Sequence, residues 1–366
     1  MQIRAAVLDR PGAPFTIETL DLDAPRQGEV LVRIVAAGVC HSDLHVAKGL
    51  VKEPLPTVLG HEGSGVIEAV GPGVASVRAG QKVVLSWVRG CGTCRHCARG
   101  RVHLCVEGII DGTLPAGGTR LRRGTQAVYH YGATSCFATH AVIPETMVVP
   151  VGPATDLEIA ALVGCAVTTG VGAVIHTAQV PPGSTAAVIG CGGVGLSIIQ
   201  GLRLAGARQI VAVDAGAGKI EAARASGATH AVDISSAEPI AAVLGLTDGG
   251  AEYVFEAVGL PQTVQQAVAM TAVAGATVIV GLPPDGSRLE IGLDHLWRGE
   301  RRILTSIYGS SSPRFDFPRL LELEAAGRLD LRSLIRRRYP LSAINQAYAD
   351  LEAGAPGRGL LTMEGI

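Results

Sequence analysis

The chain carries almost no net charge. Its 366 residues include 31 Lys and Arg against 32 Asp and Glu, which leaves a formal net charge of -1. Without an excess of one sign, no long-range attraction draws the protein to nucleic acid or to an anionic membrane. Arg4, Asp9 and Glu18 interrupt the N-terminal segment, and no later apolar run is expected to reach bilayer-spanning length. We therefore expect a cytoplasmic protein with no nucleic-acid or membrane partner.

The glycines and cysteines do not follow the patterns of fibrous or secreted proteins. The 48 glycines show no triplet period and no low-complexity tract, so they indicate turns. A reducing compartment keeps the eight cysteines as thiols, and their spacings of two residues suit a metal better than a disulfide network. Hydrophobic residues make up 48% of a chain that is long for one core, which predicts a globular enzyme of two domains.

Two groups of metal-ligating residues stand out. Four cysteines in the pattern C-x2-C-x2-C-x7-C can close a tetrahedral sulfur shell around Zn²⁺ with no ligand missing. A second set, Cys40, His61 and Cys165, offers two thiolates and an imidazole and leaves one position for water or substrate. The pattern therefore indicates one structural and one reactive site. The cysteines of the structural group are Cys91, Cys94, Cys97 and Cys105.

The organisation of the chain changes after its first half. Up to about residue 150, short β-type runs broken by Gly and Pro indicate an irregular, mainly antiparallel region. From Pro181 onward, apolar strands alternate with helices, which predicts a parallel sheet covered on both faces. We divide the chain into an irregular β domain at 1–166, with a metal lobe near 90–106, a parallel-sheet domain at 167–307, and a tail at 308–366 that returns to the first domain.

A glycine motif opens the alternating region. Gly190, Gly192, Gly193 and Gly195 form G-x-G-G-x-G between a strand and a helix, where they permit a tight turn and close approach of a pyrophosphate. Asp214 ends the next strand, where its carboxylate can accept the ribose hydroxyls of an adenosine and repel a 2'-phosphate. This combination predicts NAD rather than NADP, and the alternative is an aspartate that only caps the strand end.

Several motifs occur together in a characteristic order. They are GVCHSDLH, GHEGSGVIEAVG, the four-cysteine lobe, VGCAVTTG, VIGCGGVG, VFEAVG and VIVGLPP. Over essentially the whole chain they resemble the zinc-dependent alcohol dehydrogenases of the medium-chain dehydrogenase/reductase superfamily. The resemblance implies an α/β fold with a GroES-like irregular β catalytic domain and a Rossmann doubly wound parallel sheet. It also implies reversible hydride transfer between a primary alcohol or aldehyde and NAD, with one catalytic and one structural zinc per chain.

The resemblance assigns roles around the catalytic zinc. Cys40, His61 and Cys165 would bind the metal, and Asp43 would orient His61. Glu62 would contact the metal during ligand exchange, or remain a buried carboxylate beside it.

A proton relay and the cofactor contacts follow from the same resemblance. The hydroxyl of Ser42 would accept the substrate proton, and His45 would pass it through the nicotinamide ribose toward water. His41 and Arg358 would lie at the pyrophosphate, and Lys219 at the adenosine ribose. The cofactor-binding set is completed by Thr169 and Val194.

The substrate channel is assigned by alignment with the family. Trp87, Phe137, Leu282 and Ile307 fall where apolar or aromatic side chains line the channel, although each also fits an ordinary core. Trp87 beside the zinc would narrow the channel and favour a primary alcohol with a flat aromatic or allylic substituent.

Two alternatives remain open at this point. Glutathione-dependent and mycothiol-dependent formaldehyde dehydrogenases share these motifs, the tail segment IYGSSSPRFDFP resembles the mycothiol type, and Arg120, Arg122 and Arg123 would meet an anionic thiol cofactor. Alternatively, the four-cysteine lobe with its neighbouring arginines would form a zinc ribbon that binds nucleic acid. That interpretation leaves the second metal set and the glycine motif unexplained.

The expected assembly is a homodimer. Members of the family usually join Rossmann sheets edge to edge, and the long segment between Cys105 and Phe137 resembles dimeric members more than tetrameric ones.

Overall fold

The structure is a computed structural model that describes residues 1–108 and 111–363. Its first part is built from short strands, as expected from runs of β-branched residues interrupted by Gly and Pro. The strands are β1 (Gln2–Leu8), β2 (Thr16–Leu22), β3 (Glu29–Gly38), β4 (Thr57–Val58), β5 (Gly63–Val70), β6 (Lys82–Leu85), β7 (Leu121–Arg123), β8 (Gln126–His130), β9 (His140–Pro144) and β10 (Val148–Pro150).

These strands form a small closed barrel and a second sheet that share one hydrophobic core. The barrel runs in the order β1-β2-β7-β8-β4, and β3 lies in the second sheet next to β5, with β9 pairing along its other edge. Strand β3 ends at Gly38, two residues before Cys40, and the short helix α1 (His41–Ala47) follows. The central strand of the sheet therefore determines where the first ligand lies.

The second part is a parallel sheet with helices on both faces. Its strand order is β13-β12-β11-β14-β15-β16, a doubly wound arrangement whose order reverses between β11 and β14. Ligands of such sheets bind at the carboxyl ends of the strands beside this reversal. The strands are β11 (Thr185–Ile189), β12 (Gln209–Asp214), β13 (His230–Asp233), β14 (Ala251–Glu256), β15 (Thr271–Ile279) and β16 (Arg302–Thr305). The helices between them are α4 (Gly193–Ala205), α5 (Ala217–Ser226), α6 (Pro239–Leu246), α7 (Pro261–Met270) and α8 (Leu293–Arg298).

One long helix joins the two parts. It runs over Leu157–Ala178 and consists of α2 (Leu157–Leu162), a π-helical stretch Val163–Val167, α3 (Thr168–Gly172) and a second π-helical stretch Ala173–Ala178. The division that we drew near residue 166 therefore falls inside a continuous helix rather than in a linker.

The same helix corrects one expectation from the sequence. Its 22 residues and mean hydropathy of 1.9 are sufficient, by length and composition, to cross a membrane, so the expectation that no apolar run reaches that length was wrong. In the fold, 89% of its most apolar window is buried inside the protein. A helix that is apolar on all sides is stable at the centre of a large soluble core, and this one packs there.

The last segment of the chain returns to the first sheet. Its elements are α9 (Pro313–Ala325), β17 (Ile335–Pro340), α10 (Ile344–Glu352) and β18 (Arg358–Thr362). Strand β18 pairs antiparallel with β3, with Leu360 opposite Gly38, and parallel with β17. Arg358 at the start of β18 is thereby held between the first sheet and the glycine motif, because Gly192 forms an isolated bridge with Gly357.

Candidate active site

The three residues of the second metal set lie together in the fold. One ligand atom from each of Cys40, His61 and Cys165 lies within 4.8 Å of the others, and His61 Nε2 is 3.2 Å from Cys165 Sγ. Cys40 precedes α1, His61 lies in the loop between β4 and β5, and Cys165 lies in the first π-helical stretch. All three side chains are buried. The structure thus brings together residues from three separate parts of the sequence.

Asp43 fixes the direction of the His61 ring. Its Oδ2 lies 3.1 Å from His61 Nδ1, and its Oδ1 accepts the backbone N–H of Gly60 at 3.0 Å. The ring of Tyr131 contacts the imidazole edge to face at a centroid distance of 5.7 Å. With Nδ1 engaged by the carboxylate, Nε2 is directed toward the thiols, which is the arrangement that a metal-ligating histidine requires.

The charges of the site depend on one another. Burial opposes a positive His61, but the charges of Asp43 and Cys40 outweigh it and raise the pKa of His61 well above its ordinary value. The pKa of Cys40 lies well below its ordinary value, chiefly because the thiol of Cys165 donates a hydrogen bond to it, against the effect of burial. Two sulfurs and one imidazole nitrogen with room for a fourth ligand are the donor set of a catalytic zinc site. The residues therefore fit zinc.

Two candidate relay residues follow on α1. Cys40 Sγ lies 3.7 Å from the hydroxyl oxygen of Ser42, so this hydroxyl is adjacent to the metal ligands. His45 lies one turn further along the helix, and burial lowers its pKa. Its imidazole is therefore neutral near pH 7 and able to accept a proton.

Glu62 and Arg358 form a buried pair behind the metal set. Both carboxylate oxygens of Glu62 accept hydrogen bonds from Arg358, from Nε at 3.2 Å and from Nη2. Arg358 is 3% exposed and packs on the glycine turn, where a Cβ added to Gly193 would lie 2.9 Å from Arg358 Cδ. The arginine that we placed at the pyrophosphate therefore also neutralises a carboxylate next to the metal ligands.

The glycine turn leaves space for a ligand. Gly190 has a left-handed φ of 92°, and a Cβ on Gly195 would lie 1.7 Å from the carbonyl oxygen of Gly190. A Cβ on Gly192 would have no neighbour within 4 Å, so this position is open. The turn thus has the shape that lets a pyrophosphate approach the backbone at the N-terminus of α4.

The carboxylate of Asp214 stabilises this turn through hydrogen bonds. Its two oxygens accept the N–H groups of Cys191 and Ala215, each at 2.6 Å, and Lys219 Nζ lies 3.2 Å from Oδ1. The capping role that the sequence left as an alternative is therefore present in the fold. It is compatible with binding a ribose, because an ionised carboxylate has about four lone-pair sites.

The remaining cofactor candidates lie on three different helices. Thr169 is buried in α3, and Val194 is in the first turn of α4. The neighbouring Gly170 packs directly on Val194, since an added Cβ would lie 2.6 Å from the Val194 carbonyl oxygen. His41 is exposed at the start of α1.

The four-cysteine lobe also closes around a centre. One sulfur from each cysteine lies within 4.8 Å of the others. The N–H of Cys91 donates to Cys105 Sγ and that of Cys94 donates to Cys91 Sγ, both at 3.2 Å. Hydrogen bonds from the Thr93 hydroxyl and from the backbone of Cys94 lower the pKa of Cys91 to about 6. Thiolates held by backbone donors fit a structural zinc.

Comparisons with known proteins show the family of the chain. Residues 26–153 match the family model of the alcohol dehydrogenase GroES-like domain, and residues 193–326 match that of the zinc-binding dehydrogenases. An NDMA-dependent alcohol dehydrogenase of Amycolatopsis methanolica is 42% identical over 370 residues, which cover 99% of each chain. This chain belongs to the zinc-dependent alcohol dehydrogenases of the medium-chain superfamily. The predicted family is thereby confirmed.

Solved structures of relatives have the same fold. A benzyl alcohol dehydrogenase from Acinetobacter calcoaceticus superposes with a TM-score of 0.93 at 36% identity, with 99% of each chain covered. An alcohol dehydrogenase zinc-binding domain protein from Burkholderia ambifaria gives a TM-score of 0.94 at 38% identity, also over 99% of each chain. The predicted fold class, a GroES-like domain with a Rossmann sheet, is confirmed.

The four residues assigned to the substrate channel differ in exposure: one packs on a buried tyrosine, two are exposed, and one is fully buried. Trp87 packs on Tyr308 at a centroid distance of 4.4 Å, while Leu282 and Ile307 are 45% and 50% exposed. Phe137 is fully buried among core residues and contacts Phe15 edge to face at 6.4 Å. Its assignment to an open channel is therefore wrong, because the ring fills the core of the first domain.

Gly132 lies close to two residues of the site, since a Cβ there would be in ordinary contact at 3.5 Å from Trp87 Cβ and 3.8 Å from His61 Cβ. Sequence reasoning also missed two tyrosines near the site, Tyr131 and Tyr308. Their contacts with His61 and with the Cys165 turn join distant segments, and no local motif marks either tyrosine.

The three arginines assigned to a thiol cofactor are already paired. Arg120 is fully buried and forms two hydrogen bonds to Glu29, at 2.9 and 2.6 Å. Arg122 binds Asp23 at 2.6 Å, and Arg123 binds both oxygens of Glu18 at 2.7 and 2.8 Å. Arg120 is therefore not free to meet an anionic cofactor, because its guanidinium group is buried against Glu29. Arg122 and Arg123 keep 51% and 33% of their side chains exposed, so a role for them in binding an anionic cofactor stays a prediction.

Proposed function

We propose that this dehydrogenase transfers a hydride between a primary alcohol with an aromatic or allylic substituent and NAD, with zinc at Cys40, His61 and Cys165. The observation that carries the proposal is the position of the three ligands next to the glycine turn. Arg358 contacts that turn and also forms a hydrogen bond with Glu62, the residue that directly follows His61. Substrate and nucleotide would therefore meet at the carboxyl edge of the sheet.

Each residue near the proposed zinc site has a separate role in the reaction. Bound zinc would supply a Lewis acid for the alcohol oxygen, and bound NAD would supply the hydride acceptor. The Ser42 hydroxyl accepts the alcohol proton, and the neutral imidazole of His45 receives it and passes it toward solvent. Asp43 keeps His61 in one orientation, so that its Nε2 stays directed toward the thiols.

Aromatic lining supports a flat substrate. Trp87 is partly exposed and packs on the buried ring of Tyr308, whose hydroxyl bonds the Gly164 carbonyl next to Cys165. A benzyl alcohol dehydrogenase is among the relatives with the same fold. The thiol-dependent alternative loses Arg120, which is buried against Glu29, but keeps the resemblance of its tail segment, so formaldehyde with each thiol belongs in the assay.

An NAD preference is supported by the charge at the ribose position. Asp214 ends β12 beside the glycine turn, and Ala215 and Gly216 after it carry no basic group for a 2'-phosphate. A relative is NDMA-dependent, so NAD and NDMA are both to be assayed as acceptors.

A homodimer is supported by an exposed apolar patch at the edge of the Rossmann sheet. Among the described residues, β16 pairs with β15 alone. Three large apolar side chains on β15 and on α8, the helix before β16, are exposed to solvent. They are Val273, Leu293 and Trp297, with exposed fractions of 69%, 77% and 77%. Such exposure of large apolar side chains is unusual unless a partner covers them. Joining two such edges would cover the patch. We place the enzyme in the cytoplasm, which agrees with the lack of any disulfide among its eight cysteines, all of which the structure describes.

The test compares turnover and zinc content in three proteins. The wild type should oxidise benzyl alcohol with about two zinc ions per chain, and Cys40→Ser should lose turnover and about one zinc while staying folded. Cys136→Ser is the matched control, because Cys136 is buried in the same domain outside the ligand set.

Three results would contradict the proposal. Near-wild-type turnover in zinc-depleted Cys40→Ser would refute the mechanism. Turnover of formaldehyde only with glutathione or mycothiol would refute the substrate class. Turnover with NDMA and without any bound nicotinamide nucleotide would refute the cofactor.

A further inference from the structure

The turn that carries Cys165 is held by two side-chain hydroxyls. Cys165 lies in the π-helical stretch Val163–Val167, and such a stretch interrupts the regular hydrogen-bond ladder of a helix. The carbonyl of Val163 accepts the hydroxyl of Thr168, and the carbonyl of Gly164 accepts the hydroxyl of Tyr308, both at 2.6 Å. Two successive peptide groups before Cys165 are thus fixed by side chains.

The bond from Tyr308 acts directly on the ligand. The Gly164 carbonyl belongs to the peptide plane that also contains the nitrogen of Cys165, and that plane is rigid. A donor that fixes the carbonyl direction therefore restricts the rotation that sets the direction of Cys165 Cβ. Gly164 itself is closely packed, since an added Cβ would lie 2.8 Å from the Leu85 carbonyl oxygen.

Tyr308, which donates this hydrogen bond, has an unfavourable backbone conformation. Its φ is 53°, and those of Gly309 and Ser310 are 64° and 51°, so three consecutive residues are left-handed. This region is disfavoured for residues with a Cβ and persists only where the surroundings enforce it. The ring is 2% exposed and lies against Trp87 at 4.4 Å and Phe317 at 6.5 Å.

The surrounding segment is bound to the same long helix. The hydroxyl of Thr177 contacts those of Ser306 and Ser310, each at 2.8 Å. A Cβ on Gly309 would lie 2.4 Å from the Thr168 carbonyl oxygen, so the segment and the helix touch backbone to backbone. Because the segment directly follows β16, Tyr308 links the last strand of the Rossmann sheet to the turn of Cys165.

We propose that Tyr308 is a positioning residue for the metal ligand Cys165, acting through the carbonyl of Gly164. The inference rests on the proposed zinc at Cys40, His61 and Cys165. Loss of the hydroxyl would leave the ring packing intact, free the peptide plane before Cys165, and weaken the hold of this thiolate on the metal.

The experiment compares Tyr308→Phe with the wild type and with Ser306→Ala. Ser306→Ala is the matched control, because it removes a buried hydroxyl from the same segment without touching Gly164. Zinc loss to a chelator is followed in each holoenzyme, and the phase that is missing in Cys165→Ser identifies the catalytic site. The visible spectrum of the Co²⁺-substituted enzymes reports the ligand geometry.

Tyr308→Phe should lose zinc from that site about tenfold faster, which corresponds to about 1.4 kcal/mol. Its cobalt bands should shift and kcat should fall, while KM for NAD and the spectrum of Ser306→Ala stay at wild-type values. An unchanged spectrum and release rate in Tyr308→Phe, with only a lower melting temperature, would overturn this inference alone. A wild type without the Cys165-dependent phase would overturn the proposed zinc site as well.

Discussion

Exchanging the charge at Asp214 should change the cofactor preference. The perturbation is Asp214→Gly combined with Ala215→Arg, which removes the carboxylate at the end of β12 and adds a guanidinium beside it. The wild type should prefer NAD, because the carboxylate accepts ribose hydroxyls and repels a 2'-phosphate. In the double variant, Arg at position 215 supplies a donor for that phosphate.

The magnitude follows from the bonds that Asp214 already makes. Of about four lone-pair sites on the carboxylate, three are occupied by the N–H of Cys191, the N–H of Ala215 and Lys219 Nζ. One site stays open for a ribose hydroxyl, and the 3.2 Å contact with Lys219 is the weakest of the three. Loss of this one charged hydrogen bond, at about 1.5 to 3 kcal/mol, should lower the preference for NAD at least about tenfold.

The assay is the ratio of kcat/KM for NAD to that for NADP at a fixed alcohol concentration. Glu221→Arg is the matched control, because it makes the same change in net charge on the exposed side of α5. The control should keep the wild-type ratio. A wild-type ratio below one, or a double-variant ratio equal to the wild type, would show that this carboxylate does not contact the ribose.

Two further outcomes are expected. Cys97→Ser should lose one zinc and melt at a lower temperature, because structural zinc contributes directly to folding; an unchanged zinc content and melting temperature would contradict the four-cysteine assignment. Burial lowers the pKa of His130 to about 3 in the folded protein. Below about pH 6.5 the unfolded chain therefore binds a proton at this histidine that the folded chain does not bind, so acid should destabilise the fold. The free energy of unfolding should fall by up to about 1.4 kcal/mol per pH unit from this group, which adds up to about 2 kcal/mol between pH 7.5 and 5. Urea titrations at these two pH values should show a pH dependence smaller by about 2 kcal/mol in His130→Gln.

The features that sequence could predict are those with a local pattern. Apolar strands alternating with helices predicted the Rossmann sheet, and the glycine motif with Asp214 predicted where the cleft lies. The metal sets followed from ligand chemistry and, for Cys40, His61 and Cys165, from the resemblance. Each of these depends on residue types within a short segment or on motifs in a known order.

The features that sequence did not predict depend on contacts between distant segments. The bond from Tyr308 to Gly164 joins residues 144 positions apart, and the pair of Arg358 with Glu62 joins residues 296 apart. The three arginines assigned to a thiol cofactor are another example. Their carboxylate partners lie on β2, on β3 and in the loop between them, so only the fold shows that each arginine has a carboxylate beside it.

The contact at Gly170 restricts how the two halves of the enzyme can move. A Cβ there would lie 2.5 Å from Ser197 Cβ and 2.6 Å from the Val194 carbonyl oxygen, so α3 and α4 touch without intervening side chains. Two helices in such contact cannot slide or separate without losing their packing. The same long helix is equally close to the first part of the chain, because a Cβ on Gly164, the residue before Cys165, would lie 2.8 Å from the Leu85 carbonyl oxygen. Any opening between the two parts would therefore have to bend this helix.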